Sequence, residues 1–238
     1  MARKVDTCFS PMLYPAYADP EAIVVVIDIF RATSAIGIAF EFGARSIIPV
    51  ATVEEARSYM EKGYLAGAER NAVKVEGFHF GNSPYDYMTP DIFGKDIVLT
   101  TTNGTQAIEA CRNDAYQVVI GSFLNLTALV NHLNDSGRNV LLLCSGWKNK
   151  FNLEDALFAG AVTDALSFKG TDFDFGDACL GLKYLYQMAK ADPNKFLNYS
   201  SHKERLAALN LKKDIRLCLT PDRNTILPVL RGNALFPL

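Results

Sequence analysis

The chain has 238 residues, of which 49% are hydrophobic and 21% are charged, and its formal net charge is -2. This balance excludes disordered and fibrous chains and gives no reason to expect a polyanionic partner such as nucleic acid. The apolar run 22–27 ends at Asp28, whereas a membrane-spanning helix needs about 20 apolar residues. The first residues also lack the apolar stretch of a secretory signal. We therefore expect a cytoplasmic globular protein with no membrane or nucleic-acid partner; a homodimer is compatible with the sequence.

Short β-branched runs alternate with helical segments over the first two thirds of the chain. This alternation is typical of parallel strands joined by crossover helices. The predicted strands are 23–29, 45–50, 64–69, 96–101, 117–121 and 139–144, and the predicted helices are 33–42, 52–62, 105–113, 126–134 and 153–166. Thr52 and Glu55 have the spacing of a capping box, and the polar stretch 70–84 is predicted to be a long loop.

The alternation is lost beyond Lys169. Residues 175–191 are predicted to be helical, and 215–219 and 226–230 are predicted to form a hairpin at the edge of the sheet. We predict a single α/β domain over residues 1–238. It has three layers, a mostly parallel, mixed sheet, a helical elaboration and the C-terminal edge hairpin. A subdomain boundary, if there is one, is expected near residue 170.

Polar side chains follow the predicted strands at the points where the strands end. They lie in the segments 28–34, 69–70, 100–105, 122–125 and 144–150. In open α/β sheets ligands bind beyond the carboxyl ends of the strands, so we expect these segments to meet at one rim. Carboxylates with hydroxyls suit Mg²⁺, and Arg, Thr and Gly at helix starts suit a phosphate. The sequence therefore predicts a metal-assisted site for an anionic substrate.

Each of these features also has a structural alternative. Asp28 could cap a turn or pair with Arg31, and Asn103-Gly104 is a common turn sequence. His79 could be a general acid or a surface loop residue. The other two histidines lie on predicted helices and are expected at the surface; they are His132 and His202.

Two phosphatase mechanisms with a covalent intermediate do not match the sequence. A haloacid-dehalogenase-type enzyme needs an acid two residues after its nucleophile, but Phe30 stands two residues after Asp28. A cysteinyl-phosphate enzyme needs Cys, five residues and Arg, but Cys144 is followed at that spacing by Lys150, whose ammonium cannot grip phosphate in two places. Direct attack by a metal-activated water is the mechanism that remains.

Five motifs, taken together, resemble the 2-phosphosulfolactate phosphatase family. They are 26–34, Gly67–Arg70, Gly81–Pro84, Thr101–Thr105, and 144–146 with 154–155 and 159–160. The segments around His202 and Asp214 fit the family more loosely. Two positions depart from its pattern, since His79 stands where Asp is usual and Ser145 where Ala is usual; the first departure weakens any role for residue 79.

The resemblance implies a magnesium-dependent phosphatase that hydrolyses 2-phosphosulfolactate to sulfolactate and phosphate, a step of coenzyme M biosynthesis. Joined with the chemistry of the residues, it suggests that Asp28, Glu69 and Asp155 hold Mg²⁺. The catalytic set is Asp28, Arg31, Glu69 and Glu154, with His79 as the alternative proton carrier to Glu154. Phosphate is assigned to Arg31, Thr33, Ser34, Asn103, Gly104 and Thr105, the sulfonate and carboxylate to Arg70, Lys148 and Lys150, and further substrate contacts to Asn82 and Ser83.

Two other functions stay open at this point. The same fold could act on another small phosphorylated hydroxy acid, or the chain could be a non-catalytic binder of an anionic metabolite.

Overall fold

The computed structural model describes residues 2–169 and 172–238, which form one wide β-sheet with helices on both faces. The strands are β1 (Arg3–Cys8), β2 (Ala22–Ile27), β3 (Ser46–Pro49), β4 (Leu65–Arg70), β5 (Val73–Lys74), β6 (Asp96–Thr100), β7 (Gln117–Gly121), β8 (Asn139–Cys144), β9 (Phe173–Phe175), β10 (Pro228–Arg231) and β11 (Ala234–Pro237). The helices are α1 (Ala32–Glu41), α2 (Val53–Glu61), α3 (Gly104–Cys111), α4 (Leu126–Asp135), α5 (Leu153–Ser167), α6 (Asp177–Ala189), α7 (Pro193–Phe196), α8 (Ser201–Ala208) and α9 (Lys212–Cys218).

The predicted α/β class with a mostly parallel, mixed sheet is confirmed. Strands β7 and β8 have the predicted bounds, because a continuous aliphatic run suits a strand that is covered on both faces. The predicted capping box of α2 is present in its first half only, because Glu55 reaches the amide of Ala51 and not that of Thr52. The amide of Glu55 donates to Oγ1 of Thr52 at 3.0 Å, and the amide of Ala51 donates to Oε2 of Glu55 at 3.2 Å.

The C-terminal hairpin lies inside the sheet, so its predicted place at the edge is wrong. The strand order is β5-β4-β6-β3-β11-β10-β7-β2-β8-β1-β9, with β10 and β11 between two groups of parallel strands. Leu235 of β11 pairs with Ile47 of β3, and Val229 of β10 pairs with Val119 of β7, all antiparallel. The predicted hairpin strand 215–219 instead lies largely in helix α9.

The hairpin also separates two groups of strands that run in opposite directions. Three successive antiparallel pairings make the β4-β6-β3 group run opposite to the β7-β2-β8-β1-β9 group. The expectation that all strand ends share one rim of a parallel sheet is therefore wrong for the sheet as a whole. Neighbouring strands are rotated by about 20–25°, and this twist accumulates over the strands between β6 and β2. The loops after β2, β4 and β6 nevertheless reach a common pocket.

Strand β2 is buried on both faces and separates the two largest apolar clusters. Ile23, Val25 and Ile27 pack in the cluster that includes α4 and α5, whereas Val24 and Val26 pack in the cluster that includes α1 and α3. The arrangement is helices, sheet, helices, as the three-layer prediction requires. None of the helices within residues 2–169 and 172–238 has the length and apolar character needed to cross a membrane.

The chain after residue 171 returns to this framework. Helix α6 packs closely on α5 at Gly160, where an added Cβ would lie 2.1 Å from the carbonyl oxygen of Leu182, so a larger residue would push the helices apart. The predicted boundary near residue 170 falls at residues 170–171, which lie outside the described ranges, and it stays a prediction.

Candidate active site

A pocket opens beyond the carboxyl ends of β2, β4 and β6. Its walls combine acids, bases, amides and aromatic rings from distant parts of the chain: Asp28, Phe30, Arg31, Glu69, Asn71, Ala72, Asn82, Thr102, Asn103, Trp147, His202 and Arg205. Five of these residues are among the sequence-predicted site residues, namely Asp28, Arg31, Glu69, Asn82 and Asn103.

Asp28 follows strand β2 and is 6% exposed. Burial raises the pKa of its carboxyl group to about 6; Glu69 and Glu154 add to the rise, whereas His202 and the backbone of Ala32 oppose it. An ionised Asp28 is therefore poorly solvated. A bound cation would compensate this charge.

Glu69 lies near the end of β4 and is 5% exposed. Its carboxylate accepts hydrogen bonds from the amide of Ala72, from the amide of Thr102 at 3.3 Å and from Oγ1 of Thr102 at 3.2 Å. These donors hold the carboxylate in one orientation at the pocket wall.

Arg31 and Glu69 together hold the turn after β4. Asn71 and Ala72 both have left-handed φ values, 57° and 66°, a conformation that Asn tolerates but that Ala rarely adopts. Arg31 Nη2 donates to the carbonyl of Ala72 at 2.8 Å, while Glu69 accepts the amide of the same residue. Arg31 follows a cis peptide bond to Phe30.

Two asparagines add neutral polar groups to the pocket. Asn82 is 6% exposed, and its side-chain Oδ1 has no hydrogen-bond partner within the described residues. Asn103 lines the pocket and immediately precedes α3. The amide oxygen of Asn82 is buried without a partner in the described residues, as expected of a group that binds a ligand.

Helix α8 brings a histidine to the opposite wall. Nδ1 of His202 lies 2.6 Å from Oε1 of Glu154, and Oγ of Ser200 donates to Oε2 of Glu154 at 3.2 Å. Glu154 is fully buried and does not line the pocket, so His202 is the member of this pair that faces it.

Arg205, one turn further along α8, lies over the ring of Trp147. Its Cζ is 4.3 Å from the ring centroid, and its Nε is buried without a hydrogen-bond partner in the described parts of the chain. Stacking on an aromatic face holds a guanidinium in place while leaving its edge available for an anion.

The two carboxylates of the pocket, Asp28 and Glu69, are suitable ligands for Mg²⁺. No group of three His, Cys, Asp or Glu side chains within residues 2–169 and 172–238 is placed to hold a metal ion. Magnesium, however, is commonly bound by one or two carboxylates and keeps several waters. Asp28 and Glu69 supply the carboxylates, and the unpartnered Oδ1 of Asn82 supplies a further oxygen, so the residues fit this ion.

Asp155, the third predicted metal ligand, lies outside the pocket. Its carboxylate accepts the amide of Ile29 at 2.9 Å, Oγ of Ser145 at 3.1 Å and the amide of Gly146 at 3.2 Å. Burial raises its pKa well above the usual range, and Glu154 and Asp28 add to this rise. We therefore correct its role: Asp155 ties the loop after β2 to the loop after β8.

Three predicted phosphate ligands have their hydroxyls turned into the protein. Oγ1 of Thr33, Oγ of Ser34 and Oγ1 of Thr105 each donate to a main-chain carbonyl four or five residues earlier. All three are buried and none lines the pocket. Gly104 does adjoin the site, because a Cβ there would lie 2.9 Å from Oδ2 of Asp28.

The other predicted substrate contacts also lie elsewhere. Arg70 donates to the carbonyl of Glu69 and to Oγ1 of Thr100, and Oγ of Ser83 accepts the amide of Tyr85. The two lysines of the loop after β8 are exposed and do not line the pocket; they are Lys148 and Lys150.

The pocket also contains residues that the sequence analysis did not select. The expectation that His202 lies at the surface is wrong, because α8 packs its ring against Glu154, and Arg205 follows on the same helix. His79, by contrast, is exposed, and its Nδ1 accepts the amide of Ala66. The only early signal for His202 was its place in the looser part of the family resemblance.

Comparison with known proteins identifies the family. The profile of the family described as 2-phosphosulpholactate phosphatase matches residues 8–233. A probable 2-phosphosulfolactate phosphatase of Thermotoga petrophila is 43% identical over 206 residues, which cover 87% of this chain and 88% of that protein. Proteins with the same name from Caldanaerobacter subterraneus and Clostridium novyi are each 37% identical, the first over 89% of both chains and the second over 86% and 87%. The chain therefore belongs to the 2-phosphosulfolactate phosphatase family, a family of phosphoric monoester hydrolases.

Proposed function

We propose that this protein hydrolyses 2-phosphosulfolactate to sulfolactate and phosphate with the help of Mg²⁺, as a step of coenzyme M biosynthesis. The family and the names of the relatives support the substrate. The observation that carries the proposal is that Asp28 and Glu69, which follow or end different strands, line one pocket together with two arginines.

The charges of the pocket argue for a cation. The substrate carries a phosphate, a carboxylate and a sulfonate, and two buried carboxylates would repel it. Burial already raises the pKa of Asp28 to about 6, which shows how little solvent compensates that charge. A dication held by Asp28 and Glu69 would turn this repulsion into attraction.

The phosphate is held by neutral donors as well as by charge. Asn82 and Asn103 present amide groups, and α3, which begins directly after Asn103, points the positive end of its dipole toward this side of the pocket. Arg31 contributes a guanidinium whose charge is partly balanced by Asp214 at 2.7 Å. A phosphoryl group in this pocket therefore meets donors from several directions.

Arg205 is placed to bind a second anionic group of the substrate. It is held by Trp147, and no carboxylate forms an ion pair with it among the residues described. This assigns to Arg205 the role that the sequence analysis gave to Arg70 and the two lysines of the loop after β8.

When bound, Mg²⁺ would polarise a phosphoryl oxygen and lower the pKa of a coordinated water. Asp28 and Glu69 would fix the position of this charge, and the asparagines and Arg31 orient the phosphoryl group. Fixed donors stabilise the charge that develops on the phosphoryl oxygens, the main source of catalysis in phosphoryl transfer. Phe30, two residues after Asp28, supplies no acid for an aspartyl-phosphate route.

Phosphate release from 2-phosphosulfolactate tests the proposal. Chelation should lower the rate by about a hundredfold or more, and added Mg²⁺ should restore it. Asp28→Asn and Glu69→Gln should lower kcat/KM by a similar factor, while the matched control Glu76→Gln, in the exposed loop after β5, should behave as wild type. A chelated enzyme that keeps the full rate would contradict the magnesium mechanism.

A second candidate is a phosphatase of another small phosphorylated hydroxy acid. The observation that favours it is that Arg205 offers one guanidinium, which binds a carboxylate as readily as a sulfonate. Comparing kcat/KM for 2-phosphosulfolactate and phosphoglycolate decides between them. A higher value for the sulfonated ester supports the first function.

A further inference from the structure

Glu154 and His202 form a carboxylate–histidine pair of the kind that serves in general acid–base catalysis. Glu154 lies in the first turn of α5 and His202 in the first turn of α8, and their 2.6 Å contact joins two helices that are 48 residues apart in the chain. Glu154 is fully buried, whereas His202 keeps 9% of its surface exposed and lines the pocket. The carboxylate is thus behind the ring and the pocket is in front of it.

The hydrogen bonds define which ring nitrogen is available. Oε2 of Glu154 accepts the hydroxyl of Ser200, so an ionised Glu154 accepts Nδ1–H of His202 through Oε1. Nε2 has no hydrogen-bond partner among the described residues. Phe30 packs edge-on against the ring, with centroids 6.0 Å apart and an interplanar angle of 71°, which restricts its rotation.

The reaction needs a proton donor. Sulfolactate leaves through an alkoxide oxygen, which is strongly basic and departs far more easily when it is protonated. The neighbouring arginines cannot lose a proton at neutral pH, and Asp28 and Glu69 are the proposed ligands of the cation. His202 is the remaining side chain of the pocket that can donate a proton, and the carboxylate of Glu154 lies behind its ring.

We propose that His202 is the general acid of the reaction and that Glu154 is its positioning residue. This inference rests on the proposed function. Water forms a bond to phosphorus, the P–O ester bond breaks, and its electron pair goes to the leaving oxygen, which takes the proton from Nε2 of His202. The products are the free alcohol, dihydrogen phosphate and neutral imidazole, which regains a proton from the phosphate or from solvent.

The hydrogen bond itself is tested without turnover. Proton NMR of the wild-type protein should show a downfield imidazole N–H signal that is absent in His202→Gln and is lost or shifted in Glu154→Gln. His79→Gln, which changes an exposed histidine outside the pocket, should leave that signal in place. A wild-type spectrum without such a signal would contradict the arrangement.

The role in catalysis is tested with two leaving groups. p-Nitrophenol is acidic and needs no proton to depart, whereas sulfolactate needs one. We expect His202→Gln and His202→Asn to lower kcat/KM for 2-phosphosulfolactate by about a hundredfold or more, at least tenfold more than for p-nitrophenyl phosphate. Glu154→Gln should show the same preference with a smaller loss, and His79→Gln should keep the wild-type ratio.

The outcomes separate the two proposals. Wild-type protein that releases phosphate from neither ester contradicts the proposed function and the acid role with it. Wild-type protein that is active on both esters, with equal losses on both in the folded His202 variants, contradicts only the assignment of His202. Circular dichroism of each variant shows whether it is folded. Two substitutions are made at position 202 so that the test can still be carried out if one of the two variants does not fold.

Discussion

Arg31 and Asp214 form a buried ion pair in which Nη1 of Arg31 lies 2.7 Å from Oδ2 of Asp214, although the residues are 183 positions apart. The pair joins the loop after β2 to helix α9. Together with His202 and Arg205 on α8, it shows that the last third of the chain builds one wall of the pocket. The pocket is therefore complete only when the C-terminal helices are packed in place.

Replacing Asp214 should destabilise the protein strongly. Asp214→Ala leaves the Arg31 guanidinium buried without its partner, which should lower the free energy of unfolding by about 3–5 kcal/mol. Glu109→Ala, which breaks an exposed pair with Arg112, should cost roughly 0–1 kcal/mol. Urea unfolding of both variants measures the difference; equal losses would mean that the buried pair has no special role.

Asp28 should make the metal-free protein less stable as the pH rises. Its pKa is about 6 in the folded chain and 3.8 when unperturbed, so the folded state binds the proton more tightly. The stabilisation by this group is complete below about pH 4 and is lost as the pH rises through about 6. With chelator present, the free energy of unfolding of Asp28→Asn relative to that of wild type should rise by about 2–3 kcal/mol between pH 4 and pH 7. Urea unfolding at both pH values tests this, and a difference that is constant with pH would refute it.

Gly104 should be intolerant of a side chain. An added Cβ would lie 2.6 Å from Cβ of Ala32 and 2.9 Å from Oδ2 of Asp28, both closer than normal contacts. Gly104→Ala should therefore displace Asp28 and lower kcat/KM by about tenfold or more. The control is Gly181→Ala in α6, where an added Cβ meets nothing within 4 Å and activity should be that of wild type. Equal activity of the two variants would contradict the close packing at Asp28.

Arg205 should act on substrate binding. Arg205→Met removes a charged contact to the second anionic group, which should raise KM for 2-phosphosulfolactate by about 10–100-fold. The loss on p-nitrophenyl phosphate, which has no second anionic group, should be much smaller. Arg57→Met is the matched control, since Arg57 also lies over an aromatic ring, that of Phe78, but outside the pocket. An equal loss on both esters would mean that Arg205 does not select the substrate.

The sequence predicted the parts of the fold that depend on local pattern. Strands β2, β7 and β8 are continuous apolar runs, and their bounds agree with prediction within two residues. Strand β1 was not predicted, because RKVDTC has one aliphatic residue and neither a continuous apolar run nor a regular alternation, and it is a strand through its pairing with β8 and β9. The place of the β10–β11 hairpin depends on pairings with Ile47 and Val119, which no local pattern reveals.

The site was predicted where its residues follow strands. Asp28, Glu69 and Asn103 lie at or just after the ends of strands. The strand pattern therefore predicts where they lie, and the residue type predicts what they can bind. His202 and Arg205 lie on a helix whose amphipathic pattern does not show that it packs against Glu154. Thr33 and Ser34 carry hydroxyls that can bind phosphate, but in the structure these hydroxyls donate to main-chain carbonyls instead.

In the proposed mechanism, Asp28 and Glu69 hold a divalent cation beside the phosphoryl group. The most direct measurement is a crystal structure of the protein grown with Mn²⁺ and phosphate, in which anomalous scattering locates the metal. We predict that the metal is bound by these two carboxylates and that the phosphate lies between it and Asn103. A metal and phosphate located away from this pocket would contradict the account.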